Sequence, residues 1–268
     1  MPQALIRENS DRCADATLFE DLIDATGTHV PSCSAYLNLL GLPVRTWSRR
    51  RPASGSTDAF AEWTVELMAI HTRAVASAAA GKFLIADLPF LSFRKGIPAA
   101  MKAVSALVTS GAQSVKLEGV AGHEDVIRHI VESGVPVMGH IGLTPQAVNQ
   151  FGGFRVQGKT EDDAAKLMRQ AHALESLGCF SIVLECVPAD LAARITSQLT
   201  VPTIGIGAGI GTDGQILVLH DVWGLDMSHV PRFVRRYIDG ERVLTDALNE
   251  YNADVKALRF PEPAESYS

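Results

Sequence analysis

Phe180-Ser-Ile-Val-Leu-Glu-Cys-Val-Pro188 is the stretch that decides the fold. Phe180 to Leu184 is a short apolar run with β-branched residues, the composition of a strand buried on both faces. Glu185 ends the run. Pro188 follows, and with no amide donor it stops a ladder. A carboxylate at the C-terminal tip of a buried parallel strand sits where α/β barrels and open α/β sheets place their chemistry.

Outward from this stretch the same pattern repeats. Upstream, Lys82-Phe-Leu-Ile-Ala-Asp-Leu-Pro89 reads as a strand ending in Asp87, and Gln113-Ser-Val-Lys-Leu-Glu-Gly119 as one ending in Lys116 and Glu118. Val135-Pro-Val-Met-Gly-His140 is a strand ending in His140. Downstream, Val201-Pro-Thr-Ile-Gly-Ile-Gly207 opens into Gly207-Ala-Gly209, and Gln215-Ile-Leu-Val-Leu-His220 reads as the next strand. Apolar spacing predicts helices over 62–80, 96–110, 124–133, 160–177 and 188–199, and over most of 233–258. Thr160 is placed to cap its helix, with Asp163 in the acidic first turn. The polar segment from Leu143 to Lys159 is long enough to be an active-site loop. Residues 261–268 read as a frayed tail.

Six strands alternating with helices require parallel crossover connections. Eight would close a (β/α)8 TIM barrel, and 268 residues suit a single domain of that kind. The two remaining strands should lie within the first 60 residues, where they are poorly defined. Ala16 to Ala25 has helical spacing, but 27–60 is anomalous. Ala35-Tyr-Leu-Asn-Leu-Leu40 fits a strand or a helical turn, and Arg45 to Ser56 is basic, turn-rich and without period, a loop or disorder. A doubly wound open sheet is the alternative. Against it, no GxGxxG fingerprint follows a first strand.

Composition narrows the function. The chain is 47% hydrophobic with a formal charge of −6, so it can bury one large core and lacks the basic face a nucleic acid needs. No apolar run approaches a membrane span, and the N-terminus lacks the order of a signal peptide. Cys13, Cys33, Cys179 and Cys186 have no CxxC spacing, and the last two flank an apolar strand. They read as buried free thiols in a reduced, cytoplasmic protein.

A lone acid after a strand is most often a helix cap. Here neighbouring tips carry Asp87, Lys116 with Glu118, His140 and Glu185, and in a barrel all tips face one mouth. Asp87 and Glu118 are hard oxygen ligands without a His or Cys cluster, which suits Mg²⁺ rather than zinc. Such an ion keeps waters and holds a chelating substrate such as a 2-oxo acid. Lys116 shares a face with Glu118 and is placed to pair a substrate carboxylate. His140 on its own fits a hydrogen-bonded structural histidine as well as a pocket residue. Glu185 beside a metal-bound ketone would be the base that removes a proton from the adjacent carbon; a carboxylate paired to a neighbouring lysine is the other reading.

Longer phrases resemble a known family. Val137-Met-Gly-His-Ile-Gly-Leu-Thr-Pro-Gln146, Gly153-Phe-Arg-Val-Gln-Gly-Lys-Thr160, Ile182 to Pro188 and Pro202-Thr-Ile-Gly-Ile-Gly-Ala-Gly209 are similar to those of the ketopantoate hydroxymethyltransferases. Ile85-Ala-Asp-Leu-Pro-Phe90, Val115-Lys-Leu-Glu-Gly119, Leu217-Val-Leu-His-Asp221 and Pro231-Arg-Phe-Val-Arg-Arg-Tyr237 extend the resemblance from about His71 to Phe260. It implies a barrel of the phosphoenolpyruvate mutase and isocitrate lyase type. It also implies one-carbon transfer from 5,10-methylenetetrahydrofolate to 3-methyl-2-oxobutanoate, in pantothenate biosynthesis, and a ring-like homo-oligomer. Carried over, Asp87 and Glu118 are Mg²⁺ acids, Asp87 and Lys116 substrate contacts, and Glu185 the proton acceptor.

The resemblance fails in one block. Family members open with a Thr-Ala-Tyr-Asp-like strand, and a second strand ends in Val-Gly-Asp-Ser, whose acid binds metal and whose serine binds substrate. Neither phrase is present. The nearest alignment sets Asn38 and Leu39 against the acid and the serine, and leucine has no hydrogen bond to offer a carboxylate. Neither residue is therefore assigned a role. Gly55-Ser-Thr57 and Ile70-His-Thr-Arg-Ala-Val75 rejoin the pattern, so true divergence or a local reading-frame error over 27–60 accounts for the block. The foreign composition of Trp47 to Ser54 favours the frame error, and a Gly-Asp-Ser phrase in another frame would establish it. Three readings follow: the hydroxymethyltransferase, another 2-oxo-acid aldol or lyase enzyme, and a catalytically impaired barrel kept for binding or assembly.

Overall fold

The structure, a computed structural model, describes residues 63–79, 81–147, 153–225 and 230–267. The expected helix at Ala16–Ala25, the block 27–60 and the middle of the Leu143–Lys159 loop lie outside the described residues. Those described form two compact units, one ending at Ile216 and the other starting at Leu217.

The first unit alternates helix and strand: α1 (Val65–Ala78), β1 (Ile85–Asp87), α2 (Ile97–Val108), β2 (Ser114–Glu118), α3 (Glu124–Glu132), β3 (Val137–Gly142), α4 (Glu161–Ser176), β4 (Ser181–Glu185), α5 (Ala189–Gln198), β5 (Thr203–Ile206) and β6 (Gly214–Gln215). Two helices, α1 and α4, start where a side chain meets an orphan amide. Thr64 accepts from the Leu67 amide, and Thr160 accepts from the Asp163 amide at 3.2 Å as its spacing predicts. Three acids follow Thr160 in the first turn of α4, where the helix dipole favours them.

All six strands pair in parallel and in chain order, β1-β2-β3-β4-β5-β6. That order decides between the two sequence-level alternatives. A doubly wound sheet reverses direction partway, whereas right-handed crossovers in unbroken order put every helix on one face. The other face must then be covered by the sheet's own curvature, which is the winding of a (β/α)8 barrel. The chain has this α/β-barrel fold.

Alternation along the strands sorts the residues accordingly. Ala86, Val115, Leu117, Val137, Ile141, Ile182 and Leu184 join the apolar core with Leu107, Ile127, Ile130, Leu174 and Ile195 of the helices. Gly139 on β3 lets α4 approach, since a Cβ there would stand 2.5 Å from Leu174 Cδ1. The intervening residues belong to the opposite face. At its base, Ser114 and Ser181 donate to the carbonyls of Pro136 and Pro202, so buried hydroxyls are satisfied.

The strand expected over 215–220 is corrected. Only Gly214–Gln215 pairs with β5, and Leu219 begins a short helix, α6 (Leu219–Trp223). The apolar run Ile216–Leu219 is too short to separate strand from helix by period. The second unit consists of α6, closed by Gly224 in the left-handed region, and α7 (Gly240–Lys256), which fills most of 233–258 as expected. Beyond α7, Pro263–Glu265 form a 3₁₀ turn with a Glu262–Glu265 capping box. Among the described residues no helix is long and apolar enough to cross a membrane.

Candidate active site

Asp87 is in register with Lys116, Glu118 with His140, and Gly142 with Glu185. Residues in register share a face, as do residues two apart on one strand. Asp87, Lys116, Glu118, His140 and Glu185 therefore belong to the face turned away from the helices, climbing from β1 to β4.

At the β1 and β2 end, Lys116 Nζ lies 2.9 Å from Asp87 Oδ2. Burial works against the Lys116 charge, but Asp87, then Glu118 and Glu185, more than offset it and hold the pKa above its ordinary value. Lys116 is a standing cation. Glu118 is buried, and burial raises its pKa although His140 and Lys116 pull it back. Its Oε2 accepts from the Gln146 amide at 3.0 Å.

His140, 3% exposed, stands between two acids. Its Nδ1 is 3.7 Å from Glu118 Oε1 and its Nε2 is 3.3 Å from Glu185 Oε2. Among the described residues neither ring nitrogen has a hydrogen bond of good alignment. Glu185 is buried at the tip of β4, and its carbonyl accepts from the Leu143 amide at 2.8 Å. Cys186 follows at φ 50°, a left-handed conformation that costs a non-glycine residue about 1–3 kcal/mol and clusters at functional sites. Gly142, at φ +94°, leaves the space a side chain would take from the Glu185 carbonyl.

The donor chemistry suits a hard cation in part. Asp87 and Glu118 are oxygen ligands, and Mg²⁺ is commonly held by one or two carboxylates with waters and substrate. Among the described residues the buried Gln146 Oε1 has no hydrogen-bond partner, an acceptor suited to a cation's water. Among the described residues no group of three or more His, Cys, Asp or Glu forms a metal cluster by itself.

Two residues here escaped sequence reasoning. Gln146 contacts Glu118 through its backbone, which no residue-type pattern reveals, although it lies in the Leu143-Thr-Pro-Gln146 phrase. Arg94 donates to the carbonyls of Glu118 and Ala121, each at 3.3 Å, bracing the turn after β2. No sequence signal marked it.

A barrel sheet that gathers three carboxylates, a charged lysine and a buried histidine on one face defines the class, an α/β-barrel enzyme. The chain belongs to the ketopantoate hydroxymethyltransferase family, which it matches over residues 53–263. Its relatives include proteins named 3-methyl-2-oxobutanoate hydroxymethyltransferase in three organisms. That of Francisella tularensis subsp. tularensis is 54% identical over 204 residues, 76% of this chain and 77% of that protein. Those of Bdellovibrio bacteriovorus and Legionella pneumophila are 53% and 48% identical over 205 residues, 76% of this chain and 78% of each.

Proposed function

We propose that this chain transfers a hydroxymethyl group from 5,10-methylenetetrahydrofolate to 3-methyl-2-oxobutanoate, giving 2-dehydropantoate (ketopantoate) for pantothenate and coenzyme A biosynthesis. Family membership supports the reaction. The meeting of Asp87, Lys116, Glu118, His140 and Glu185 on one sheet face carries the residue roles.

Glu185 accepts the proton from the carbon beside the ketone, and the C–H electrons move toward the carbonyl oxygen. Asp87 and Glu118 would hold Mg²⁺, which when bound supplies Lewis-acid stabilisation of that oxygen. Lys116, kept charged by its acidic neighbours, meets the substrate carboxylate, with Asp87 alongside. Water breaks the folate's bonds to the one-carbon unit, so tetrahydrofolate leaves and the unit stands at the aldehyde level; the deprotonated carbon adds to it, and Glu185 returns its proton to the new alkoxide as the hydroxyl. His140 lines the pocket between the two acids. The same reading makes the protein a single-barrel, cytoplasmic homo-oligomer acting on small molecules, which the buried cysteines Cys179 and Cys186 suit.

The missing Gly-Asp-Ser phrase favours one competing reading, the impaired barrel. Exchange separates them. With Mg²⁺ and no folate, the protein should swap the proton beside the ketone for solvent deuterium, followed by NMR. The Glu185→Gln variant should not. Exchange persisting in the variant assigns the base elsewhere, and none in a folded wild type supports the impaired barrel. Exchange without folate-dependent product points instead to another 2-oxo-acid aldol or lyase reaction.

A further inference from the structure

The chain leaving β3 does something a connection to the next helix does not require. Gly142 turns it back in a left-handed conformation. The Leu143 amide donates to the Glu185 carbonyl on β4. Thr144 accepts from the Ala147 amide at 2.9 Å and closes a 3₁₀ turn, Pro145–Ala147. The Gln146 amide then donates to Glu118 Oε2 on β2 at 3.0 Å, and its side-chain Nε2 donates to the Leu88 carbonyl at 3.0 Å, one residue past Asp87. Four residues thus fasten to the tips of three other strands.

We propose that the turn Leu143–Gln146 is a clamp that fixes the mutual spacing of Asp87, Glu118 and Glu185, and that Gln146 is its positioning residue. The inference rests on reading Asp87 and Glu118 as the cation's ligands. The Gln146 backbone N–H donates to the buried Glu118 carboxylate, as any residue's would, and two side-chain properties make glutamine fit. Its neutral amide donates to a carbonyl, which a carboxylate at this position does not do. Donation to Leu88 also fixes which way the amide faces, and leaves Oε1 as a buried acceptor beside the acids. Asparagine is one methylene short of the same reach. Outer-shell contacts of this kind typically change metal affinity about 10–100-fold when removed.

The test is Mn²⁺ binding to the full chain, followed by the EPR signal of the free ion, for the wild type, Gln146→Met and Gln146→Asn. Methionine keeps length and loses both polar groups; asparagine keeps the amide and loses the reach. Both should bind Mn²⁺ about 10-fold or more weakly, with Tm close to wild type. Wild-type affinity in either folded variant overturns the clamp, whatever happens to turnover. If Gln146→Met does not fold, the asparagine variant decides alone. A wild type that binds no Mn²⁺ sinks the ligand reading of Asp87 and Glu118 and the clamp with it. Equal binding by wild type and variants sinks the clamp only.

Discussion

The two ends of the site differ in water. At β1 the Asp87 side chain is 45% exposed and pairs with a Lys116 that is 17% exposed. At β3 and β4 the side chains of His140 and Glu185 are 4% and 6% exposed. Charges at the wet end are screened and easily exchange partners, while those at the dry end are costly and must be held by structure. The proposed roles divide the same way, ligand capture at the first end and proton transfer at the second, where a dry carboxylate would bear directly on the proton it is to accept.

The largest effect should come from the dry end. Glu185→Gln keeps shape but cannot take a proton, so kcat should fall by about 10²–10⁴ with KM for the oxo acid little changed. A KM effect alone would merge the two ends. Asp87→Asn strikes the wet end and should raise the Mg²⁺ concentration for half-activity by at least the roughly 10–100-fold that outer-shell changes cost. Indifference to EDTA and to this substitution would remove the metal from the account.

Lys116→Met should raise KM for the oxo acid by about 10-fold or somewhat more, the worth of a charge-assisted hydrogen bond. In the wild type the same KM should rise with ionic strength, whereas the deuterium exchange rate at saturation should not.

A smaller effect concerns pH. Burial lowers the pKa of His123 below its ordinary 6.5, and Arg94 adds to the shift; His71 is lowered by burial too. Between the folded and unfolded values the unfolded chain binds more protons, so stability rises with pH across that window. The contribution is complete above about 6.5 and is lost as pH falls toward the folded value. Tm should therefore drop between neutral and mildly acidic pH, less steeply in His123→Phe. Smallest of all, Thr160→Ala removes a helix cap remote from both ends. It should cost about 1 kcal/mol in denaturant unfolding and leave kcat unchanged.

Within the dry end the strand that carries Glu185 is the more legible part in sequence. Val183, Leu184 and Glu185 form a run that only a buried strand explains, and β4 spans Ser181–Glu185 within one residue of expectation. Glu118 and Lys116 were placed on one face by the two-residue period alone. His140 was ambiguous because its meaning lies in two acids from other strands, and separation in sequence hides that. Gln146 acts through a backbone amide, and Arg94 through backbone carbonyls, groups that every residue type possesses. The Gln215–His220 strand was overextended because a run of four apolar residues satisfies either period.

Unbroken strand order has a consequence for how the protein is made. Each ladder joins consecutive strands: Ile85 with Ser114, Val115 with Val137, Met138 with Ser181, Ile182 with Thr203. For the described strands, a chain synthesised from its N-terminus therefore finds each new strand's partner already outside the ribosome. The site is delivered in the same sequence, Asp87 first, then Lys116 and Glu118, then His140, and Glu185 last. A nascent chain halted before β4 would hold the groups proposed to capture an anion or a cation and lack Glu185, the proposed base, so it would be a binder before it could be a catalyst.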